Sequence, residues 1–283
     1  MWGLGDNIFS RPFVRAAAKQ YELYLETPWP ELYADLDIKF VRGTRKLRTQ
    51  QKNMARQPPD CWSPPLATRE IRIGYDLGSH SIITAMELRW AFRKVAFDPA
   101  LFDLPYMGHS PINSDRPIAV VRPVSVRSEW RNEARNPRPE YVNLLAAELM
   151  ATHTVVAVAD LAESEEWVVG DLPPAHRYYL SGQLAVRELL ALVRDADVVI
   201  GGVGWIVPAG LALKVKTFVV LGGQGGHNAP EKITDPRLDL TRIGFAIPER
   251  FCRCTNMLHN CDKQIANPLD QFSRWLRNLR VAA

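Results

Sequence analysis

The chain has 283 residues, of which 47% are hydrophobic and 23% charged, with a net charge of +4 and a pI near 8.9. That composition excludes a disordered chain, and no apolar run reaches the roughly 20 residues that a membrane span needs. The mild positive charge suits an anionic ligand without requiring nucleic acid, and four cysteines are too few for a disulfide framework.

The chain opens on MWGLGDNIFSRPFVRAA. Phe9, Phe13 and Ala16–Ala18 give one apolar face, so a helix is expected from about Ile8 to Lys19, with Pro12 near its first turn. The start has no apolar signal segment, because Asp6, Arg11 and Arg15 interrupt it, and a cytoplasmic protein is expected. YELYLET alternates like a strand. Lys39–Gln57 is basic and without an acid, PPDCWSPP is a loop, IRIGYDLG a strand and turn, and SIITAMELRWAF a helix. Turn-forming residues cluster at GHSPINSDRP, which sets an expected division into residues 1–112 and 113–283.

Beyond it, PIAVVRPVS is a strand, PEYVNLLAAELMAT a helix, HTVVAVAD a buried strand, VRELLALVRDA a helix and DVVIGGVG a strand ending in glycines. GLALKVKTFVVLGGQGG reads as short helix, strand and glycine loop, and PLDQFSRWLRNLR closes the chain as an amphipathic helix. Strands alternating with helices predict α/β architecture with a parallel sheet. Ligands bind beyond the carboxyl ends of such strands, so Gly201–Gly204 and Gly222–Gly226 are expected to open onto a cleft.

Several constellations carry chemistry. Asp6, just before an expected helix, is either an N-cap or a general base. Arg122, Arg127, Arg131 and Arg135 with Ser125 could hold phosphate, or could be a solvated loop paired by Glu129 and Glu133. The glycines of GGVG, among them Gly202 and Gly204, could bring backbone N–H groups to a ligand or simply form a turn. Asp195 and Asp197 resemble a metal-binding Asp-x-Asp, but they fall between a helix and a strand and are read as capping groups. Cys252, Cys254, His259 and Cys261 are four soft ligands that could hold zinc, but their spacing is unlike common zinc patterns; no metal is expected, and the plainer reading is buried thiols or a labile disulfide. Arg42, Arg45, Lys46, Arg48 and Lys52 form a basic stretch that is a solvated face, a site for a phosphorylated acceptor, or a grip on a nucleic-acid backbone.

GLGDNIFSRPFVRAA, AVVRPVSVRSEWRNEARNPRPEYVNLLAAEL, LSGQLAVRELLALVRDADVVIGG and FCRCTNMLHNCDKQI together resemble, in order and spacing, segments of glycosyltransferase family 9, the heptosyltransferase-like enzymes. The resemblance implies a GT-B-like fold, two Rossmann-like domains facing a cleft, with the C-terminal helix packing at the end. It implies an inverting, metal-independent transfer of a sugar from a nucleotide-sugar donor to an acceptor hydroxyl, with no cofactor. Carried over, Asp6 is the general base and Arg135 or Arg131 matches the phosphate-binding lysine. Arg122, Ser125, Arg127, Gly202 and Gly204 complete the donor side, and the basic stretch faces the acceptor. The expected acceptor is a saccharide such as lipopolysaccharide core, with a hydroxylated base in phage DNA as the alternative. The family's donor-contacting Asp and His are replaced here by Gly202, Val203, Gly204 and Val207, so a non-catalytic nucleotide-sugar-binding protein is a further reading.

Overall fold

The computed structural model describes residues 3–43, 60–66, 68–74, 78 and 80–281, the last two by backbone alone. Its centre is a six-stranded sheet built from β3 (Ile118–Arg122), β5 (Thr154–Val158), β7 (Arg177–Tyr179), β8 (Val198–Gly202), β9 (Lys216–Val220) and β10 (Ile243–Ala246). The order is β10-β9-β8-β3-β5-β7, and every pairing is parallel. From β3 the chain first builds outward through β5 and β7, then returns to the other side of β3 to add β8, β9 and β10. This is the dinucleotide-fold order, and the crevice between β3 and β8 is its topological switch point.

The inner strands β9, β8, β3 and β5 are buried on both faces because helices cover both, while the edge strand β7 is largely exposed. Val121, Ile200, Phe218 and Val220 point to one side, under α3 (Pro139–Met150) and α8 (Pro268–Val281), where Val142, Leu145, Leu149 and Phe272 meet them. Val120, Val156, Val199 and Val219 point to the other side, under α4 (Val186–Arg194) and α5 (Ile206–Leu213). β3, β5, β8 and β9 and helices α3, α4 and α8 occupy segments that their apolar periodicity predicted, whereas α5 begins at Ile206, ahead of the expected GLALKVK, and the edge strands β7 and β10 were not anticipated.

The N-terminal portion is built differently. It contributes α1 (Leu4–Ala18), α2 (Ile82–Trp90) and two two-residue strands, β1 (Tyr24–Leu25) and β2 (Lys39–Phe40), which pair with each other in parallel. The described part of IRIGYDLG, residues 71–74, is not a strand. Ile8, Phe13, Val14 and Ala17 of α1 join the same buried cluster as Leu190 of α4 and Ile206 and Ala209 of α5. Arg11, 1% exposed, anchors α1 from its polar side: Nη1 and Nη2 donate to the Asp35 carboxylate at 2.9 and 2.7 Å, and Nε to the Asp103 carbonyl at 2.8 Å. A buried guanidinium is tolerated because its donors are met in this way.

α1 starts four residues earlier than its apolar pattern suggested. Gly3 is the N-cap and Asp6 lies inside the first turn, so Asp6 is not the capping residue, and Pro12 falls in the helix interior. Two short helices, α6 (Gly225–Asn228) and α7 (Pro230–Ile233), follow β9, and β4 (Ser125–Arg127) pairs antiparallel with β6 (Glu166–Val168) as a ribbon beside the sheet. Among the described residues, no helix is long and apolar enough to cross a membrane.

Candidate functional site

A cavity of about 700 Å³ opens at the carboxyl ends of β3, β5 and β8. Its N-terminal wall is Gly3, Leu4, Gly5 and Asp6 from the first turn of α1, with Phe9, Trp29 and Ile82. The opposite wall comes from the ends of the sheet strands, the β4–β6 ribbon and the 130–135 segment.

The first turn of α1 is seated against the start of α5. A Cβ at Gly5 would stand 3.1 Å from Trp205 Cα, so glycine lets the two backbones come into close contact where a side chain would push them a few tenths of an ångström apart. The Asp6 carboxylate folds back toward Gly3, where a Cβ would meet its Oδ2 at 2.7 Å. The glycines of Gly-Leu-Gly-Asp therefore serve close packing that brings a half-buried carboxylate to the mouth of the cavity.

Arg122 ends β3 at the switch point. Its guanidinium lies over Gly204, where a Cβ would stand 3.2 Å from Nη1. Burial, together with repulsion from Arg135 and Arg127, pushes its pKa down to about 10, and Glu166 partly offsets this. Arg122 is still charged at neutral pH. Ser125, Arg127 and Arg135 also line the cavity. Arg131 does not; it turns to Glu133, its Nε donating at 2.5 Å. The structure thus puts Arg135, rather than Arg131, at the cavity.

Of the expected glycines, Gly204 lines the cavity and Gly202 instead packs against Pro137, at 3.0 Å for an added Cβ. The Gly222–Gly226 segment reaches the cavity through Gln224, but its glycines do not line it. A Cβ at Gly222 would lie 2.2 Å from the Asn136 carbonyl, one at Gly223 2.4 Å from Cys261 Sγ, and one at Gly226 2.9 Å from the Cys254 carbonyl. These glycines make room for neighbouring protein atoms, the Asn136 and Cys254 carbonyls and the Cys261 side chain. Arg42 is exposed and is not part of the cavity wall. Arg45, Lys46, Arg48 and Lys52 lie outside the described residues. Asp195 and Asp197 sit at the opposite end of the sheet: Asp195 accepts from Arg194, and Asp197 from His153 and Lys216.

Sequence reasoning missed Glu166 and Gln224. Glu166 is 6% exposed; its Oε1 accepts from Ser125 Oγ at 3.0 Å and its Oε2 from Arg127 Nε at 3.0 Å. Gln224, at φ 55°, is buried with its side chain joining three segments. Its Oε1 accepts from Asn132 and Asn228, each at 2.8 Å, and its Nε2 donates to the Thr255 carbonyl at 3.0 Å. The left-handed backbone at a non-glycine residue is the mark of a constrained position.

No protein-family model matches the chain, and no curated protein sequence matches it significantly. Solved structures do. The iron-containing dodecameric glycosyltransferase TibC from enterotoxigenic E. coli H10407 aligns with a TM-score of 0.63 at 14% identity, over 98% of this chain and 74% of that one. TibC in complex with ADP-D-β-D-heptose gives 0.64 at 15% identity, over 99% and 75%. The E. coli ADP-heptose lipopolysaccharide heptosyltransferase II gives 0.51 at 12% identity, over 99% and 98%. The fold is that of the heptosyltransferases. In this heptosyltransferase fold, Cys252, Cys254, His259 and Cys261 form the group of described residues whose side chains are placed to hold a metal ion.

Proposed function

We propose that the protein is a glycosyltransferase that moves a sugar from a nucleoside-diphosphate sugar to an acceptor hydroxyl, with inversion and without a metal ion at the reacting atoms. One observation carries this reading: a carboxylate, Asp6, and three guanidinium groups, Arg122, Arg127 and Arg135, line one cavity at the switch point of a parallel sheet.

The two sets of charges suit the two halves of such a reaction. A departing nucleoside diphosphate accumulates negative charge, and guanidinium groups in a partly desolvated site stabilise it. The N-terminus of α5, entered through Gly204, adds backbone N–H groups and a favourable helix dipole to the same side. Asp6, on α1, takes the proton of the acceptor hydroxyl as that oxygen attacks the anomeric carbon. Residues 113–283 would then supply the donor side and residues 1–112 the acceptor side. TibC was solved with an ADP-heptose, which supports an ADP-activated sugar as the first donor to test. The acceptor proposed is a saccharide, of the kind that a lipopolysaccharide heptosyltransferase uses.

The test is calorimetry of ADP, UDP and GDP, followed by transfer and slow hydrolysis of the matching nucleotide-sugars. Binding of a nucleoside diphosphate together with turnover that needs Asp6 is the expected result. Binding without turnover on any saccharide or hydroxymethylated DNA would favour the non-catalytic reading. No nucleotide binding at all would overturn both.

A further inference from the structure

Cys252, Cys254, His259 and Cys261 lie on one loop that doubles back before α8. Three sulfurs and one imidazole nitrogen fall within 4.8 Å of one another. Cys254 Sγ and Cys261 Sγ are 3.5 Å apart, His259 Nδ1 and Cys261 Sγ 3.3 Å, and Cys252 Sγ and His259 Nδ1 3.5 Å. A tetrahedral ion with bonds of about 2.3 Å to sulfur and about 2.0–2.1 Å to nitrogen spaces its ligands about 3.8 Å (S···S) and about 3.5 Å (S···N) apart. These three edges agree within a few tenths of an ångström, and the remaining pairs lie within 4.8 Å, close enough for a small closure of the loop around an ion. A disulfide would bring two sulfurs to about 2.05 Å, and all three thiols are free. The linear pattern Cys-x-Cys-x4-His-x-Cys argued against a metal; the folded loop brings the four ligands to one point.

We propose that these four residues bind a single thiophilic divalent ion, zinc or ferrous iron, as a closed structural site that braces the donor-side wall of the cavity. Four protein ligands leave no open position for substrate, and none of the four lines the cavity. The loop acts through its backbone. The carbonyls of Cys252 and Cys254 accept from Gly225 and Gly226 at 2.7 and 3.0 Å, that of Thr255 from Gln224 Nε2 at 3.0 Å, and that of Met257 from Ala134 at 2.9 Å. Thr255 and Met257 themselves line the cavity. The ion therefore ties together a loop that holds both Gln224 and the segment carrying Arg135.

Metal binding stands independently of the proposed function; only the nucleotide readout rests on it. The full-length chain, purified under reducing conditions, is analysed for metal by mass spectrometry, which separates zinc from iron. It is then stripped and reloaded with Co(II), and ADP affinity is measured with and without metal. Expected are about one ion per chain, thiolate-to-cobalt charge-transfer absorption, and ADP affinity weakened about tenfold by stripping. Cys252→Ser, at a half-buried ligand, should weaken cobalt uptake, and Cys261→Ser should abolish the charge-transfer bands, with far-UV circular dichroism reporting whether each variant folds. A metal-free chain with reactive thiols that takes up none of Zn(II), Fe(II) or Co(II) would overturn the site, as would a Cys254–Cys261 disulfide in the native protein. Stoichiometric metal with ADP affinity unmoved by stripping would overturn the bracing role. Stoichiometric metal with no ADP binding in any form would instead count against the proposed function.

Discussion

Arg127 and Glu166 stand directly opposite each other across the β4–β6 ribbon, and Arg127 Nε donates to Glu166 Oε2 at 3.0 Å. Cross-strand pairs of opposite charge stabilise a ribbon modestly. Here the carboxylate also lies beside Arg122, whose charge it favours. A buried negative charge among three arginines opposes any diphosphate that comes to them. Glu166→Gln removes the charge, keeps one acceptor oxygen for Arg127 Nε and turns its amide N–H to the Ser125 hydroxyl oxygen, so nucleoside-diphosphate affinity should rise about three- to tenfold. Calorimetry with ADP decides it. A loss of affinity would mean that Glu166 chiefly positions Arg127.

Asp6→Asn should lower transfer by about 10²–10⁴-fold, the usual cost of losing a general base. Nucleotide affinity should stay within about twofold, since the base acts on the acceptor oxygen. Single-turnover assays beside nucleotide calorimetry separate the two effects. Unchanged turnover would remove Asp6 from the chemistry.

Arg135→Ala and Arg131→Ala form a matched pair. Arg135 lines the cavity, whereas Arg131 pairs with Glu133 outside it. Loss of one charge-assisted contact should weaken diphosphate binding by about 1.5–3 kcal/mol in Arg135→Ala. Arg131→Ala should leave it unchanged. Equal losses in both would point to the general charge of the loop, and salt would then suppress both alike.

Asp197 supports the far end of the sheet. His153 Nε2 donates to its Oδ2 at 3.2 Å and Lys216 Nζ to its Oδ1 at 2.6 Å. The His153 hydrogen bond above all, then Lys216, hold this carboxyl well below the usual carboxylate range. Because the folded value is depressed, its contribution to stability is present above the unfolded pKa of about 3.9 and is lost as pH falls below it. The side chain is a third exposed, so solvent screening limits the contribution to roughly 1 kcal/mol. Asp197→Asn should lower the melting temperature at pH 7 and flatten its decline below about pH 4. A variant as stable as the parent at pH 7 would refute this.

The inner strands β3, β5, β8 and β9 were legible because they are largely apolar runs and the helices beside them carry apolar faces; the edge strands β7, with sequence Arg-Tyr-Tyr, and β10, interrupted by Gly244, give no such signal. The N-terminal portion was less so. Its strands are two residues long, and much of its order comes from single buried contacts such as Arg11 with Asp35, which no periodicity reports. α1 began earlier than expected because Leu4 and Gly5 owe their helical state to packing against the Trp205 region rather than to an apolar pattern. Glu166 was hidden among Glu163 and Glu165, and only its place on a short strand before Trp167 and Val168 distinguishes it. Gln224 was hidden among glycines that read as a turn. Arginines spaced along one loop suggested an anion site, but which of them faces inward depends on how β4 and the 130–135 segment fold over the crevice.

The buried cluster that runs from α1 into α4 and α5 fixes the span between Asp6, the proposed base, and the cavity's arginines. Phe13 and Ala17, both fully buried, lie two to three turns along the helix from Asp6. Trimming Phe13 to leucine would let the helix settle into the vacated volume and carry its first turn along. Reacting atoms tolerate little misplacement, with about 1 Å able to cost two orders of magnitude in rate. Substitutions deep in that cluster are therefore expected to slow turnover before they unfold the chain, and to do so without touching any group that meets a ligand.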